Sequence, residues 1–461
     1  MGDAQVSCDE AMLNHDMQTF YDNFLQDIAN DQAWGCGSTP GPSGCSPAQS
    51  LADMGSLADV VPYDGIGGWP GCPVWQVAYI VLVRKHWRHY GDVSLLRKHY
   101  LGLLYLLDHF RNNVDADTGL LETSCYGDWV DVDSMGVSKR TPPSSVTAFY
   151  FVEALRMVGE VAAILGESTD SEKLNYEHQV ALKAYHQRYF NATVGCYSPV
   201  DGIAPYGSQT SNAMALVLDA MPDKTTRDKV GECLVKAVEE REVHLTGGIV
   251  GMVVLFPALQ AIGRGDLAIE ILRQDTYPGF GHMLQQGLTA LCENWQCQSH
   301  MTGGGSMNHI MFGAFDGWLV TGVAGLDTRD DVGHGGWRVV QFGPTHGAYD
   351  LVGSAMGRVD TRFGEASISW SYDAAQKQIH TNVTVPVGAV GVWSVPLSLP
   401  HPHRALQRLA TPDASLLWSA TPTSEGDLNA RYNVSRAWSE AAPVLEVSVV
   451  SGQHHLIAHY A

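Results

Sequence analysis

Apolar positions recur at a spacing close to 3.6 residues through "VWQVAYIVLVRKHW" (Val74 to Trp87), "SLLRKHYLGLLYLLDHF" (Ser94 to Phe110) and "SSVTAFYFVEALRMVGEVAAIL" (Ser144 to Leu165). That period places one apolar stripe along each segment and predicts helices that bury it. The segments Ser171 to Phe190, Thr210 to Met221, Thr226 to Arg241 and Gly248 to Gly263 read the same way. Almost no strand signal separates them, which argues against alternating βαβ units and for helices packed on helices. Past about Asp331 the period falls to two. The runs "GWRVVQFGPT", "DLVGSAMGRVDTRFGEASISWSYD", "QIHTNVTVPVGAVGVWSVPL" and "VLEVSVVSGQHHLIAHY" alternate apolar with polar residues between turn formers. This predicts an antiparallel β-sandwich over residues 331–461, following a helical domain over residues 1–330.

Composition agrees with a folded chain and narrows its partners. The 461 residues are 45% hydrophobic and 17% charged, with 12 Trp and 18 Tyr, enough for a large helical domain and a smaller module. Twenty-eight basic side chains against 49 acidic ones leave a net charge of −21 and no basic stripe, so neither nucleic acid nor an anionic membrane is an expected partner. No run of about 18 apolar residues is present to span a bilayer, and "MGDAQVSCDEAML" lacks the basic and apolar regions of a signal peptide. Nine Cys without a CxxC pair favour buried free thiols over a zinc site, and Cys36 with Cys45 is the one local disulfide candidate. The Gly/Pro/Ser stretch holding that pair, Gly35 to Ser50, reads as a mobile surface loop.

Candidate chemistry lies in the loops. No phosphate-binding loop, GxSxG elbow, HExxH pair or dinucleotide fingerprint occurs, and no cofactor or metal is implied. What recurs is an acid beside an indole: Asp128 and Trp129 in "YGDWVD", Glu293 and Trp295 in "LTALCENWQ", with Trp69 and Trp75 in "GGWPGCPVW". Indole faces stack on the C–H faces of sugars and carboxylates accept hydrogen bonds from hydroxyls, so a carbohydrate is the expected substrate. The bland readings stand beside this one. A Glu in helical sequence usually points at water, and a Trp in a helical protein is more often core than platform.

At this point a longer resemblance applies. The run from "TGGIVGMVVLF" to "LCENWQ", followed by "GGGSMNHIMFGAFDGWLVTGVAGL" and preceded in order by "GDAQVS", "DVVPYDGIGGWPGCPVW" and "YGDWVD", resembles the catalytic domain of glycoside hydrolase family 78, the α-L-rhamnosidases. The resemblance implies a six-hairpin (α/α)6 barrel followed by a β-domain. It further implies inverting removal of terminal α-L-rhamnose, in which one carboxylic acid protonates the leaving oxygen and a carboxylate on the other face activates water. On the matched positions Glu293 would be the general base. Asp3, Trp75, Trp129 and His309 would contact the sugar, and Trp69 and Asp128, in the same loops, would also bind the substrate.

The pattern also departs from the family. Its general acid belongs to a "DCPxRDE"-type segment just before "GDAQ", and that segment is not among these residues. Asp9 and Glu10 are the nearest acids and are expected to lie further along the following helix. The chain therefore reads as a truncated rhamnosidase lacking its general acid. A catalytically impaired carbohydrate-binding homologue, or an (α/α)6 glycosidase of another sugar specificity, are the alternatives.

Overall fold

A computed structural model describes residues 1–33, 53–297, 305–331, 333–399, 404–413, 415–419, 432–438 and 443–461. The Cys36–Cys45 candidate lies outside them. Contacts group the chain into two compact units. The first holds Met1–Trp87, Asp92–Ala258 and Ile271–Ala314, and the second holds Arg88–Gly91, Leu259–Glu270 and Phe315–Ala461.

The helical unit follows the 3.6 pattern closely. The helices are α1 (Gly2–Asn14), α2 (Gln18–Ala33), α3 (Pro73–Gln76), α4 (Ala78–Tyr90), α5 (Val93–Asn112), α6 (Pro143–Leu165), α7 (Ser168–Tyr189), α8 (Gln209–Leu218), α9 (Lys224–Glu239), α10 (Ile249–Ala261), α11 (Gly265–Leu272) and α12 (Phe280–Gln285), with the ends of α4 and α10 and most of α11 assigned to the second unit. The start signals are side-chain caps. Asp92 accepts from the Ser94 N–H at 2.8 Å, and Asp223 accepts from the Thr226 N–H at 2.8 Å. Each such cap contributes about 1 kcal/mol by satisfying an orphan first-turn donor. The stretch expected as one helix from Val74 to Trp87 is instead broken at Val77, so that Trp75 sits in the short α3.

Helices pack as hairpins, the six-hairpin (α/α)6 arrangement. α6 lies between α5 and α7, α8 lies against α9, and α2 lies against α5. α6 explains its own long apolar run: Phe149, Val152, Leu155 and Val158 on different sides of it are all buried. A helix covered all round carries no stripe and reads as continuously apolar. Four of the cysteines expected as free thiols are paired, Cys72 with Cys125 and Cys196 with Cys233. The second bridge ties α9 to a small hairpin of β1 (Phe190–Asn191) and β2 (Cys196–Tyr197).

The second unit is a β-sandwich. Strands β5 (Ser354–Thr361), β6 (Gly364–Asp373), β7 (Gln378–Val385), β10 (Arg404–Ala410), β11 (Leu416–Ser419) and β14 (Gly452–Tyr460) form one sheet, with β9 (Ser398–Leu399) on β10. Strands β3 (Leu326–Thr328), β4 (Val339–Phe342), β8 (Val390–Pro396), β12 (Tyr432–Trp438) and β13 (Pro443–Val449) form the other. The period of two is read directly in burial: Ala366, Ile368 and Trp370 point into the core along β6, and Leu456, Ala458 and Tyr460 along β14. One pairing departs from the expected antiparallel pattern, since β4 runs parallel to β8. Periodicity along a strand sets which face is buried and is silent about the direction of the neighbour.

Candidate active site

The site is assembled by α1, which packs on α3 and on the short 3₁₀ turn Ile310–Phe312. Asp3 in its first turn meets His309, whose Nε2–H donates to Asp3 Oδ2 at 3.1 Å. On the other edge of the ring, His309 Nδ1 lies 3.9 Å from Glu293 Oε2. The imidazole therefore stands between two carboxylates. The hydrogen bond to Asp3 comes first in raising the His309 pKa; burial opposes it, and the charges of Asp3 and Glu293 add to it. All three side chains reach solvent, Asp3 at 49%, His309 at 26% and Glu293 at 27% exposure.

Glu293 does not sit on a helix, contrary to the sequence reading. Residues 288–297 are an irregular segment between α12 and the 3₁₀ turn. Backbone pairing holds it: the Glu293 N–H donates to Ser306 O at 2.8 Å, and the His309 N–H donates to Leu291 O at 2.8 Å. The Ser306 N–H in turn donates to Glu293 Oε2 at 2.6 Å, fixing the carboxylate itself. Gly305 is required beside it, because a Cβ there would stand 2.8 Å from that same oxygen. Asp9 pairs with Lys85, and Glu10 is buried in α1.

A group of aromatic rings adjoins α1. Trp75 stacks on Tyr126 with centroids 4.7 Å apart and planes 11° from parallel, and Trp129 meets Tyr126 edge-on at 5.2 Å and 87°. Gly2 passes so close to Trp75 that a Cβ would fall 2.8 Å from its ring atoms. Tyr126 escaped the sequence reading, although it stands inside "YGDWVD"; its only signal there was its place three residues before Trp129. Trp69 is half-buried on the neighbouring loop, and among the described residues no ring contact joins it to this stack.

Two expectations are overturned by burial. Asp128 is fully buried, and its carboxylate accepts four hydrogen bonds, from Thr210 Oγ1 at 2.6 Å and from the N–H groups of Gly248, Val250 and Gly251 at 3.0, 3.1 and 2.9 Å. A carboxylate offers about four acceptor positions, so none remains for a sugar hydroxyl. Burial pushes this carboxyl up to about 6 against those hydrogen bonds. Its place at the N-terminus of α10 makes it an anchor between that helix and the Trp129 loop. Trp295 is likewise core: 1% exposed, its Nε1–H donates to Gly247 O at 3.1 Å and its ring stacks on Phe312 at 4.5 Å.

Among the described residues no cluster of three His, Cys, Asp or Glu is placed to hold a metal, and no helix is long and apolar enough to cross a membrane. Residues 1–323 match the family model of the bacterial alpha-L-rhamnosidase 6 hairpin glycosidase domain. The chain belongs to that family. Among related glycosidases, it is 23% identical over 405 residues to an alpha-L-rhamnosidase of Formosa agariphila, covering 86% of this chain and 39% of the relative. It is 26% identical over 358 residues to one of Streptomyces avermitilis, covering 76% of this chain and 32% of the relative. The chain thus spans less than half the length of these curated relatives. The solved structure of alpha-L-rhamnosidase from Dictyoglumus thermophilum superposes with a TM-score of 0.81 at 27% identity, over 100% of this chain and 46% of that one. The Streptomyces avermitilis enzyme complexed with L-rhamnose shares the fold, with a TM-score of 0.76 at 22% identity over 99% of this chain and 38% of that one.

Proposed function

We propose that this rhamnosidase-family chain binds a terminal α-L-rhamnosyl group between the Asp3, His309 and Glu293 cluster and the wall formed by Trp75, Tyr126 and Trp129, and that Glu293 acts as general base in inverting hydrolysis. The observation that carries the reading is the line Asp3–His309–Glu293, in which three polar side chains from opposite ends of the helical unit converge and still reach water. Asp3 and His309 would hold ring hydroxyls. Glu293, held by the Ser306 N–H through one oxygen, would take a proton from the water that attacks the anomeric carbon. Trp69 has a lesser place in this reading as a rim residue, and Asp128 has none.

Inversion also requires a carboxylic acid to protonate the leaving oxygen. General acid catalysis typically contributes about 10²–10⁴-fold, so the ratio of turnover of a 4-nitrophenyl α-L-rhamnoside to that of a flavonoid or oligosaccharide rhamnoside reports on that acid. The test is calorimetric titration with L-rhamnose, together with hydrolysis of a panel of aryl glycosides followed by ¹H NMR. Rhamnose binding, selective cleavage of the aryl α-L-rhamnoside and first release of the β-anomer are the expected results. Preferred cleavage of another sugar, or first release of the α-anomer, would reject the reading. Binding without turnover of either substrate would leave the impaired carbohydrate-binding homologue as the better account.

A further inference from the structure

Two loops far apart in sequence carry the aromatic wall, and they are fastened together at three points. The Cys72–Cys125 disulfide closes a separation of 53 residues with Cα atoms 6.0 Å apart. Next to it, the buried Asp59 carboxylate accepts from the Gly68 N–H and the Cys72 N–H at 2.6 Å each, on the loop that leads into α3. Its Oδ2 also accepts from the Tyr126 hydroxyl at 2.9 Å, on the other loop. The third point is the stack itself, Tyr126 on Trp75. Cys125 and Tyr126 are consecutive, as are Cys72 and the first residue of α3, so the bridge lies one residue from Tyr126 and three from Trp75, and the hydrogen bond is made by Tyr126 itself.

We propose that the Cys72–Cys125 disulfide and Asp59 form a clamp that holds Trp75, Tyr126 and Trp129 as one preformed wall of the sugar site, with Tyr126 as its positioning residue. The proposal rests on the sugar-site reading above and adds a source for the wall's rigidity. Loops are ordinarily mobile, and ordering two aromatic side chains at the moment of binding lowers affinity. A covalent link plus a buried carboxylate with three donors removes that ordering from the binding step, so the clamp acts on affinity and leaves the proton transfer at Glu293 alone.

The experiment compares the whole chain with a Cys72→Ser, Cys125→Ser double variant, with Tyr126→Phe, and with a Cys196→Ser, Cys233→Ser control that removes the bridge behind β2. Calorimetry with L-rhamnose, kcat and KM on the aryl rhamnoside, thermal melts and near-ultraviolet circular dichroism are recorded for each. Loss of the clamp should weaken rhamnose binding and raise KM by roughly tenfold with kcat little changed. Tyr126→Phe, which keeps the ring and loses the hydroxyl, should show a smaller shift in the same direction. The control should lower the melting temperature without moving Kd. Unchanged Kd and KM in a folded clamp variant would overturn the proposal, as would an equal loss of affinity in the control. If the unaltered chain fails to bind rhamnose, the sugar reading fails by itself. The clamp is then judged by the near-ultraviolet signal of the stacked rings: its loss in the clamp variant and retention in the control support the clamp, and its retention in the clamp variant refutes it.

Discussion

The segments "CYGDWVD" and "CENWQ" each set an acid beside a tryptophan, and the fold uses them in opposite ways. In the first, Trp129 is half-exposed against Tyr126, while Asp128 is sealed beneath α10 with every acceptor position filled. In the second, Glu293 faces solvent beside His309, while Trp295 is sealed against Phe312. The same pair of residue types thus yields one exposed ring over a buried acid and one exposed acid over a buried ring. Neighbours in an irregular segment cannot all face one cleft, so each segment spends one member of its pair on anchoring the other.

The contrast can be broken by substitution, beginning with the largest effect. Glu293→Gln should lower kcat on the aryl rhamnoside by about 10²–10⁴-fold with rhamnose affinity and urea stability close to those of the unaltered chain; retained turnover in a stopped assay would remove Glu293 as base. Trp295→Ala should cost about 3–5 kcal/mol in urea unfolding, the usual penalty for emptying a buried aromatic site, whereas Trp129→Ala should lose well under half of that and weaken rhamnose binding instead. Equal stability losses at the two tryptophans would dissolve the distinction. Asp128→Asn should cost about 1–3 kcal/mol, because the amide turns a donor toward N–H groups that need an acceptor. The smallest effect concerns charge. Asp3 and Glu293 raise the His309 pKa in the folded state, so the stability this provides is fully present below the unfolded value near 6.5 and is lost as pH rises through the folded value. Asp3→Asn removes the carboxylate that raises it most, and an NMR titration of His309 should move to lower pH; an unmoved midpoint would show that the Asp3 carboxylate does not set it.

Much of the scaffold was legible because period is a local property. The helices near Ser94 to Phe110 and Ser144 to Leu165 appear within a residue or two of their expected ends, and the alternation along β6, β7 and β14 is seen in the buried positions. What escaped depends on partners remote in sequence. The Cys72–Cys125 and Cys196–Cys233 bridges have no local spacing signal, and the parallel placement of β4 on β8 leaves none either. The break at Val77 is a borderline case, since Pro73 marks a helix start but nothing in the apolar spacing marks the interruption.

The sequence by itself determined which segments are helical, which alternate as strands, and, through the order of its motifs, the family to which the chain belongs. Those follow from periodicity and from residue types along one strand of chain. Only the tertiary structure decided that Glu293 is open and Asp128 closed, that Trp295 is core and Tyr126 part of a wall, and that Asp3 and His309, 306 positions apart, share a hydrogen bond. Exposure, saturation of acceptors and charge pairing are set by which distant groups arrive at a residue. An acid beside an indole has the same local pattern whether the chain later buries the one or the other.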